Sequence, residues 1–346
     1  MSNFSLLANL GWQSFFQQQL SLEEWENSIA ARVIEQHRSE ITLATESEIF
    51  DIALSHTMPT LVVGDWILLD NNKRFIRVLG RKTCFQRKAP GSKIKYQLIS
   101  ANVDTAFIVS SMNEDFNLNR IERFLALVNE SGAEPVVVLS KSDQSSSPEE
   151  LIAQVRNLDS NLIVEAVNCL DSNSVSKLEA WLKQGSTTSV LGSSGVGKST
   201  LINTLLGGNS QSTGRIREDD DKGRHTTTRR SLIPLESGGL ILDTPGMREI
   251  QLTDCKEGIA ATFSDIENLS NQCRYDDCQH QSEPECAVLE SIKLGILDIR
   301  RLNNYHKLLR EEALNSAILI DKRAKDKALG KFYKRTLNES KKLKGR

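Results

Sequence analysis

Hydrophobic and polar positions change texture three times along the chain. Residues 1 to about 35 mix Gln, Phe and Trp without a firm period, and read as a helical or partly ordered lead in which Leu10-Gly11-Trp12 can dock on a later domain. From Arg38 to about Ser100, short β-type runs recur at Glu40 to Ala44, Thr60 to Leu69, Phe75 to Leu79 and Tyr96 to Ser100. Turn residues such as Gly64-Asp65, Asp70-Asn71-Asn72 and Pro90-Gly91 separate them. So many short strands predict a small barrel, with the five-stranded oligonucleotide-binding type the leading candidate. After Ala101, strands expected at Thr105 to Ser110, Pro135 to Leu139 and Leu162 to Val167 alternate with helices expected at Leu118 to Ser131 and Pro148 to Leu158. Ile121, Phe124, Leu125 and Val128 share one face of the first helix. Such alternation predicts a mostly parallel sheet covered by helices, with a further strand at Leu240 to Leu242. Finally, Ala287 to about Ser316 reads as one long helix, with Leu289, Ile292, Ile296, Ile299, Leu302 and Leu309 near helical spacing.

Composition narrows the class only a little. At 346 residues the chain exceeds one typical domain. With no basic start and no long apolar run, neither a signal peptide nor a membrane span is supported, and a cytoplasmic protein is expected. Six cysteines do not suggest a disulfide framework, since Cys84, Cys169 and Cys255 stand alone while the others cluster. The formal net charge is −2, yet its distribution is uneven. Nine Lys/Arg and no acid lie between Lys73 and Lys95, and eleven Lys/Arg against Asp326 and Glu339 lie between Lys322 and Arg346. The first run falls on the expected barrel, where Phe75, Phe85 and Tyr96 can add stacking surfaces for bases. A solvated face is the plainer alternative.

The strongest signal is Gly192-Ser193-Ser194-Gly195-Val196-Gly197-Lys198-Ser199-Thr200, which follows the apolar Thr187 to Leu191 and opens a helical Leu201 to Leu206. That is a phosphate-binding loop: its glycines let backbone N–H groups face a phosphate chain at a helix N-terminus. Lys198 then reaches the outer phosphates and Ser199 ligates Mg²⁺. Asp243-Thr244-Pro245-Gly246, about fifty residues on, ends a buried strand, placing Asp243 near Mg²⁺ and the Gly246 N–H near a γ-phosphate. Ser140-Lys141-Ser142-Asp143 ends another strand and is similar to the guanine-binding element of GTPases. There the Asp carboxylate accepts from guanine and the Lys stem covers the ring. Glu165-Ala166-Val167-Asn168 is a looser match to the next guanine element. These elements precede the phosphate loop, the reverse of the usual order, and such a permutation leaves the assembled site intact. Cys273, Cys278, His280 and Cys286 form a compact set suited to one structural, tetrahedral Zn²⁺.

Together with Gly223-Arg224-His225-Thr226-Thr227-Thr228 and Arg248-Glu249, these motifs resemble the ribosome small-subunit-dependent GTPase A family of bacteria, over roughly residues 38 to 320. The resemblance implies a multidomain α/β + β protein. It would have an N-terminal extension (1–37), an oligonucleotide-binding barrel (38–100), a circularly permuted GTPase domain (101–262) and a mainly helical zinc domain with a basic tail (263–346). It implies a late factor in 30S subunit maturation that contacts 16S rRNA, turns over GTP to GDP, needs no membrane and acts as a monomer. Ser140 stands where Asn or Thr is usual. One of Thr226, Thr227 and Thr228 is expected to complete the Mg²⁺ shell. Met247 follows Gly246 where Ras-like enzymes carry a water-orienting Gln, so His225 is the candidate for that role, and the resemblance points the same way. A P-loop ATPase, which Asp143 argues against, and a nucleotide-sensing RNA-binding protein without turnover are the competing readings.

Overall fold

Polar and aromatic residues of the lead fold into three short helices, α1 (Phe4–Asn9), α2 (Ser14–Gln17) and α3 (Leu22–Asn27), in the computed structural model. It describes residues 4–88, 96–207, 230–243, 252 and 255–316. Helix α3 starts at a capping box: the Ser21 hydroxyl accepts the Glu24 N–H at 3.1 Å and the Glu24 carboxylate accepts the Ser21 N–H at 2.9 Å. The lead is shorter than its composition suggests, because Ile29–Gln36 is already a strand, β1. Four more antiparallel strands follow: β2 (Glu40–Ala44), β3 (Ile49–Ala53), β4 (Trp66–Leu69) and β5 (Phe75–Val78). One edge of β1 pairs with β2, with a register shift between Val33 and Glu35, and the first half of its other edge pairs with β4. Ala31, Val33, Ile41, Leu43, Ile67 and Leu69 fill the core of this small sheet. The strand expected from Thr60 begins only at Trp66. The Asp65 carboxylate accepts the Val62 N–H at 2.8 Å and turns the chain at Gly64, whose φ is +93°. Strands β6 (Cys84–Lys88) and β7 (Tyr96–Ala101) pair with each other.

The alternating region forms β8 (Thr105–Ser111), α4 (Leu118–Ser131), β9 (Glu134–Ser140), α5 (Pro148–Arg156), β10 (Ile163–Ala166), α6 (Ser172–Val175), β11 (Thr187–Gly192) and α7 (Lys198–Leu205). Strands β12 (Arg230–Pro234) and β13 (Leu240–Asp243) follow. Helix α4 matches its periodic prediction because both ends are marked: Asn117 caps the Arg120 N–H, and Gly132 closes it in the left-handed region. The sheet runs β10-β9-β8-β11-β13, all parallel, and continues through β12, antiparallel to β13 on one side and to β1 on the other. Small sheet and parallel sheet are therefore one hydrogen-bonded surface.

Arg32 of β1 cements that junction. Its side chain is 1% exposed and donates to the carbonyls of Leu10 and of Asn102 (3.1 Å) and to the Thr187 hydroxyl (2.9 Å), while lying 5.6 Å from the Trp66 ring centre. Burial pulls the guanidinium down to about 10, with Asp104 and Asp65 opposing, so it stays charged at neutral pH. Trp12 and Phe16 of the lead pack against Trp66.

The chain divides into two compact units, residues 1–85 with 98–249 and residues 86–97 with 250–346. In the second, α8 (Lys256–Thr262) and α9 (Ser264–Ser270) come first, and α10 (Ala287–Lys293) and α11 (299–316) replace the single long helix expected after Ala287. Gly295 at φ +72° ends the first segment, and Asp298 restarts helix by accepting the Arg300 N–H at 2.8 Å. Buried Arg301 then grips Asp265 with two hydrogen bonds of 2.7 and 2.8 Å and stacks on Phe263. No helix among the described residues is long and apolar enough to cross a membrane.

Arg32→Met strands three buried acceptors and is expected to lower the unfolding free energy by about 3 kcal/mol. Urea unfolding reads this, and a midpoint equal to wild type would deny Arg32 its cementing role.

Candidate functional site

The crest of the parallel sheet brings the sequence motifs together. Strand β11 ends at Gly192, where φ is +146° and an added Cβ would sit 2.4 Å from the Val109 carbonyl of β8, so only glycine lets the chain leave here. The loop runs to Gly197, also in the left-handed region. Glycine at the N-cap offers no side chain to the first N–H groups of α7, which starts directly at the loop. Lys198 is buried, with its ammonium donating to the Ser193 carbonyl across the loop. Ser199 and Thr200 occupy the first turn of α7.

Next to this loop lies the end of β9. Ser140 is fully buried, and its hydroxyl donates to the Val196 carbonyl of the phosphate loop at 2.6 Å, with a longer contact to the Ser110 carbonyl at 3.4 Å. Lys141 takes a left-handed conformation (φ +55°), turning Ser142–Gln144 into a single 3-10 turn that leaves Asp143 exposed. The Ser142 N–H donates to the Val167 carbonyl beyond β10.

Cys169 completes the cluster. Its sulfur and the Ser140 Cβ and hydroxyl all stand 3.8 Å from where a Cβ on Gly197 would be. Burial pushes its thiol up to about 11, with a hydrogen bond from the Lys141 backbone opposing. Strand β10 ends at Ala166, so Glu165 and Ala166 are ladder residues, and Cys169 comes just beyond the Glu165 to Asn168 element. Its marker was a small side chain just past a buried strand.

The second constellation lies wholly in the second unit. The donor atoms of Cys273, Cys278, His280 and Cys286 lie within 4.8 Å of one another. The Cys273 and Cys286 sulfurs are 3.8 Å apart, and the Nδ1 of His280 is 3.7 and 3.4 Å from them. The Ser270 hydroxyl donates to the Ile266 carbonyl at 2.9 Å and so accepts from His280 Nε2 at 2.8 Å, which fixes the tautomer with Nδ1 free toward the sulfurs. Burial keeps His280 below its usual value and so neutral. Burial also works against ionisation of Cys273, yet hydrogen bonds from the Val288 and Ala287 N–H groups and from the Cys286 and Cys278 thiols hold it below its ordinary value. The Glu283 carboxylate ties the loop by accepting the N–H groups of Gln279, Gln281 and Ser282. Four donors this close can hold one tetrahedral metal ion with no position left open.

Residues 78–253 match the RsgA GTPase family. The chain is 53% identical over 99% of its length, and 96% of the relative's, to a Vibrio parahaemolyticus protein named Small ribosomal subunit biogenesis GTPase RsgA 2. The chain belongs to the RsgA GTPase family. A Xanthomonas axonopodis RsgA is 45% identical over 83% of this chain and 81% of its own length. Among solved structures, YjeQ from Thermotoga maritima covers 82% of this chain and 98% of its own at 25% identity and a TM-score of 0.60. YloQ, described as a circularly permuted GTPase, covers 82% and 94% at 24% identity and a TM-score of 0.59, and has the same fold. As an RsgA GTPase, this chain carries the permutation visibly: β9 and its Ser140 to Asp143 element precede β11 and the phosphate loop, and the parallel sheet sets them side by side.

Not every expected residue falls within the described part of this RsgA GTPase. His225, Thr226, Thr227, Thr228 and Gly246 lie outside it, as do Lys93, Lys95 and the basic tail from Lys322. Asp243 ends β13 opposite Ser231, with its side chain also outside. The basic barrel stretch is more engaged than its sequence implies: Lys73 pairs with Glu48, Arg77 with Glu24, Arg81 with Asp65 and Lys82 with Asp104. Phe85 is buried and Phe75 packs on the small sheet's core, so these two are packing residues rather than open stacking platforms.

Ser140→Ala removes the hydroxyl that holds the Val196 carbonyl. Affinity for fluorescent GDP is expected to fall about fivefold, the worth of one buried hydrogen bond, whereas Ser140→Thr keeps it. Equal affinity in Ser140→Ala would mean that the bond is incidental to binding.

Proposed function

We propose that this RsgA GTPase acts in biogenesis of the small ribosomal subunit, as its relatives' names state of them, hydrolysing GTP to GDP and phosphate when it meets the 30S particle. The observation that carries the nucleotide half is the Ser140–Val196 hydrogen bond, which joins a guanine-type strand end to a phosphate loop. Asp143 accepts from the guanine ring N–H and amine, and Lys141 lays its stem on the ring. The loop amides of Gly192 to Gly197 and the α7 N-terminus with Thr200 bind the phosphates, aided by Lys198, while Ser199, Asp243 and one of Thr226 to Thr228 would hold Mg²⁺. When bound, Mg²⁺ neutralises charge that develops between the β- and γ-phosphates. His225 orients the water that attacks the γ-phosphorus in line, the bond to the β-phosphate oxygen breaks, and the Gly246 N–H steadies the departing phosphoryl group. Catalysis is positioning plus electrostatics.

The domains expected from the sequence are a lead at 1–37, a nucleic-acid-binding barrel at 38–100, a GTPase at 101–262 and a zinc domain at 263–346, with β1 (Ile29–Gln36) carrying the small sheet back into the lead. Contact with 16S rRNA through the basic stretch from Lys73 to Lys95 and the basic tail is supported by the charge they carry in the sequence. Zinc is the ion supported by the donor set. A tetrahedral site with Zn–S bonds of about 2.3 Å sets sulfurs about 3.8 Å apart, and the Cys273–Cys286 spacing is 3.8 Å. A monomer working without a membrane suits this role.

Phosphate release from GTP, titrated with purified 30S subunits, is expected to rise at least about tenfold, and ATP in excess should not compete. A flat titration, or competition by ATP, would defeat the proposal. In His225→Ala the stimulated rate is expected to vanish while GTP affinity holds, and full turnover in that variant would take His225 out of the mechanism. Metal analysis should return one zinc per chain, falling with Cys278→Ser together with the melting temperature of the second unit. Wild-type protein free of zinc but folded would rule out a structural site.

A further inference from the structure

Helix α7, which opens from the phosphate loop, reaches a second part of the site through Thr204. Gly197 and Thr204 are seven residues apart and so lie close to one face of the helix, two turns from each other. A threonine inside a helix commonly turns its hydroxyl back onto a carbonyl of the preceding turn. Thr204 instead donates outward, to the Cys169 carbonyl at 2.6 Å, in a half-buried place. Cys169 thus meets that face twice, its sulfur 3.8 Å from where a Cβ on Gly197 would be and its carbonyl on the Thr204 hydroxyl.

Cys169 follows β10 in a tight turn whose polar groups are nearly all engaged. The Asn168 N–H donates to the Ser174 hydroxyl at 2.9 Å, the Asn168 carbonyl accepts the Asp171 N–H at 3.1 Å, and the Asn168 side-chain oxygen accepts the Leu170 N–H at 3.0 Å. The Cys169 sulfur accepts the Lys141 N–H, and its carbonyl accepts the Thr204 hydroxyl. Among the described residues, the Cys169 N–H has no partner. It shares a trans peptide unit with the carbonyl bonded to Asp171, so it points the opposite way, out of the turn. Burial raises the Cys169 thiol most, Lys141 opposes, and the Asp143 carboxylate raises it further, which puts that carboxylate in the neighbourhood of residue 169. A free N–H donor near a carboxylate acceptor matches the oxygen and the ring N–H that adjoin each other on guanine. Adenine presents an amino donor in place of that oxygen.

We infer that Thr204 is a positioning residue for guanine selection: its hydroxyl holds the Cys169 carbonyl, and with it the Cys169 N–H, where that N–H can donate to the guanine oxygen. This rests on the guanine contact assigned to Asp143 above. The helix that starts at the phosphate loop then also sets the place of the base, so both ends of the nucleotide are measured from one rigid element. Thr204 acts through Cys169 rather than on the nucleotide itself. Were it only a packing residue, its loss would weaken every guanine nucleotide alike.

The test uses the full chain and two probes, GDP and its 6-thio analogue. The analogue keeps both groups that Asp143 reads but carries sulfur, a weak acceptor, in place of the guanine oxygen. Wild type is expected to prefer GDP about tenfold, the worth of one hydrogen bond in a closed site. Thr204→Val keeps nearly the same shape without the hydroxyl. Its GDP affinity is expected to fall about fivefold while that for the analogue changes less than about twofold, so the preference shrinks to a few-fold at most. Thr204→Ser keeps a hydroxyl and is expected to hold the preference within about twofold of wild type. Should Thr204→Val fail to fold, Thr204→Ala serves in its place with the same shift expected. A wild-type preference in the hydroxyl-free variant, or both affinities falling together with their ratio kept, overturns the inference, as does a Thr204→Ser variant that behaves like Thr204→Val. Wild type that binds both probes equally shows that the N–H does not read the oxygen, and only this inference falls. Wild type that binds neither defeats the guanine reading of Asp143 and this inference with it.

Discussion

The hydroxyl of Ser140 on the Val196 carbonyl ties together two motifs that the chain presents in reverse order, and the site depends on that tie. A phosphate loop needs its carbonyls turned outward so that its amides can turn in, and one buried donor at 2.6 Å holds one of them. Beside that donor stands Gly197, where an added Cβ would meet the Ser140 side chain and the Cys169 sulfur at 3.8 Å. Permutation costs nothing here. A parallel sheet collects the carboxyl ends of its strands along one crest, so which strand is made first does not alter what meets there.

Legibility in the sequence followed how local each feature is. Leu118–Ser131 was readable because an amphipathic period and both caps lie within one short stretch. The phosphate loop and the Cys273 to Cys286 set were readable because each carries its chemistry in a compact motif. Strand β1 was not. Its Arg32 and Gln36 look like the polar side of a helix until Leu10, Asn102, Thr187 and Leu61 are brought to them from far along the chain. Strand β12 escaped for the same reason, its partner in β1 lying nearly two hundred residues earlier. The long helix after Ala287 misled in the opposite sense. Its period continues through Ile296 and Ile299, yet both are exposed, and Gly295 with Asp298 decides the break.

The two candidate sites differ in what holds them. Around the nucleotide, order comes from strands packed into a core of Phe107, Val109, Val136, Val138 and Ile241, with the functional groups at its rim. Around the four metal donors there is little apolar material. Glu283 gathering three N–H groups, Ser270 orienting His280, and left-handed turns at His280 and Glu285 shape the loop instead. Such a loop cannot be ordered by burial, which is why a coordinating ion is the natural partner for it.

The Leu10 carbonyl held by Arg32 has a practical corollary. Although α1 and α2 look like a dispensable preface, they furnish the interior with an acceptor and with the Trp12 and Phe16 rings. Shortening the protein to the barrel's apparent start would leave a guanidinium in a dry place with part of its company gone, so the preface behaves as internal masonry rather than as a tether.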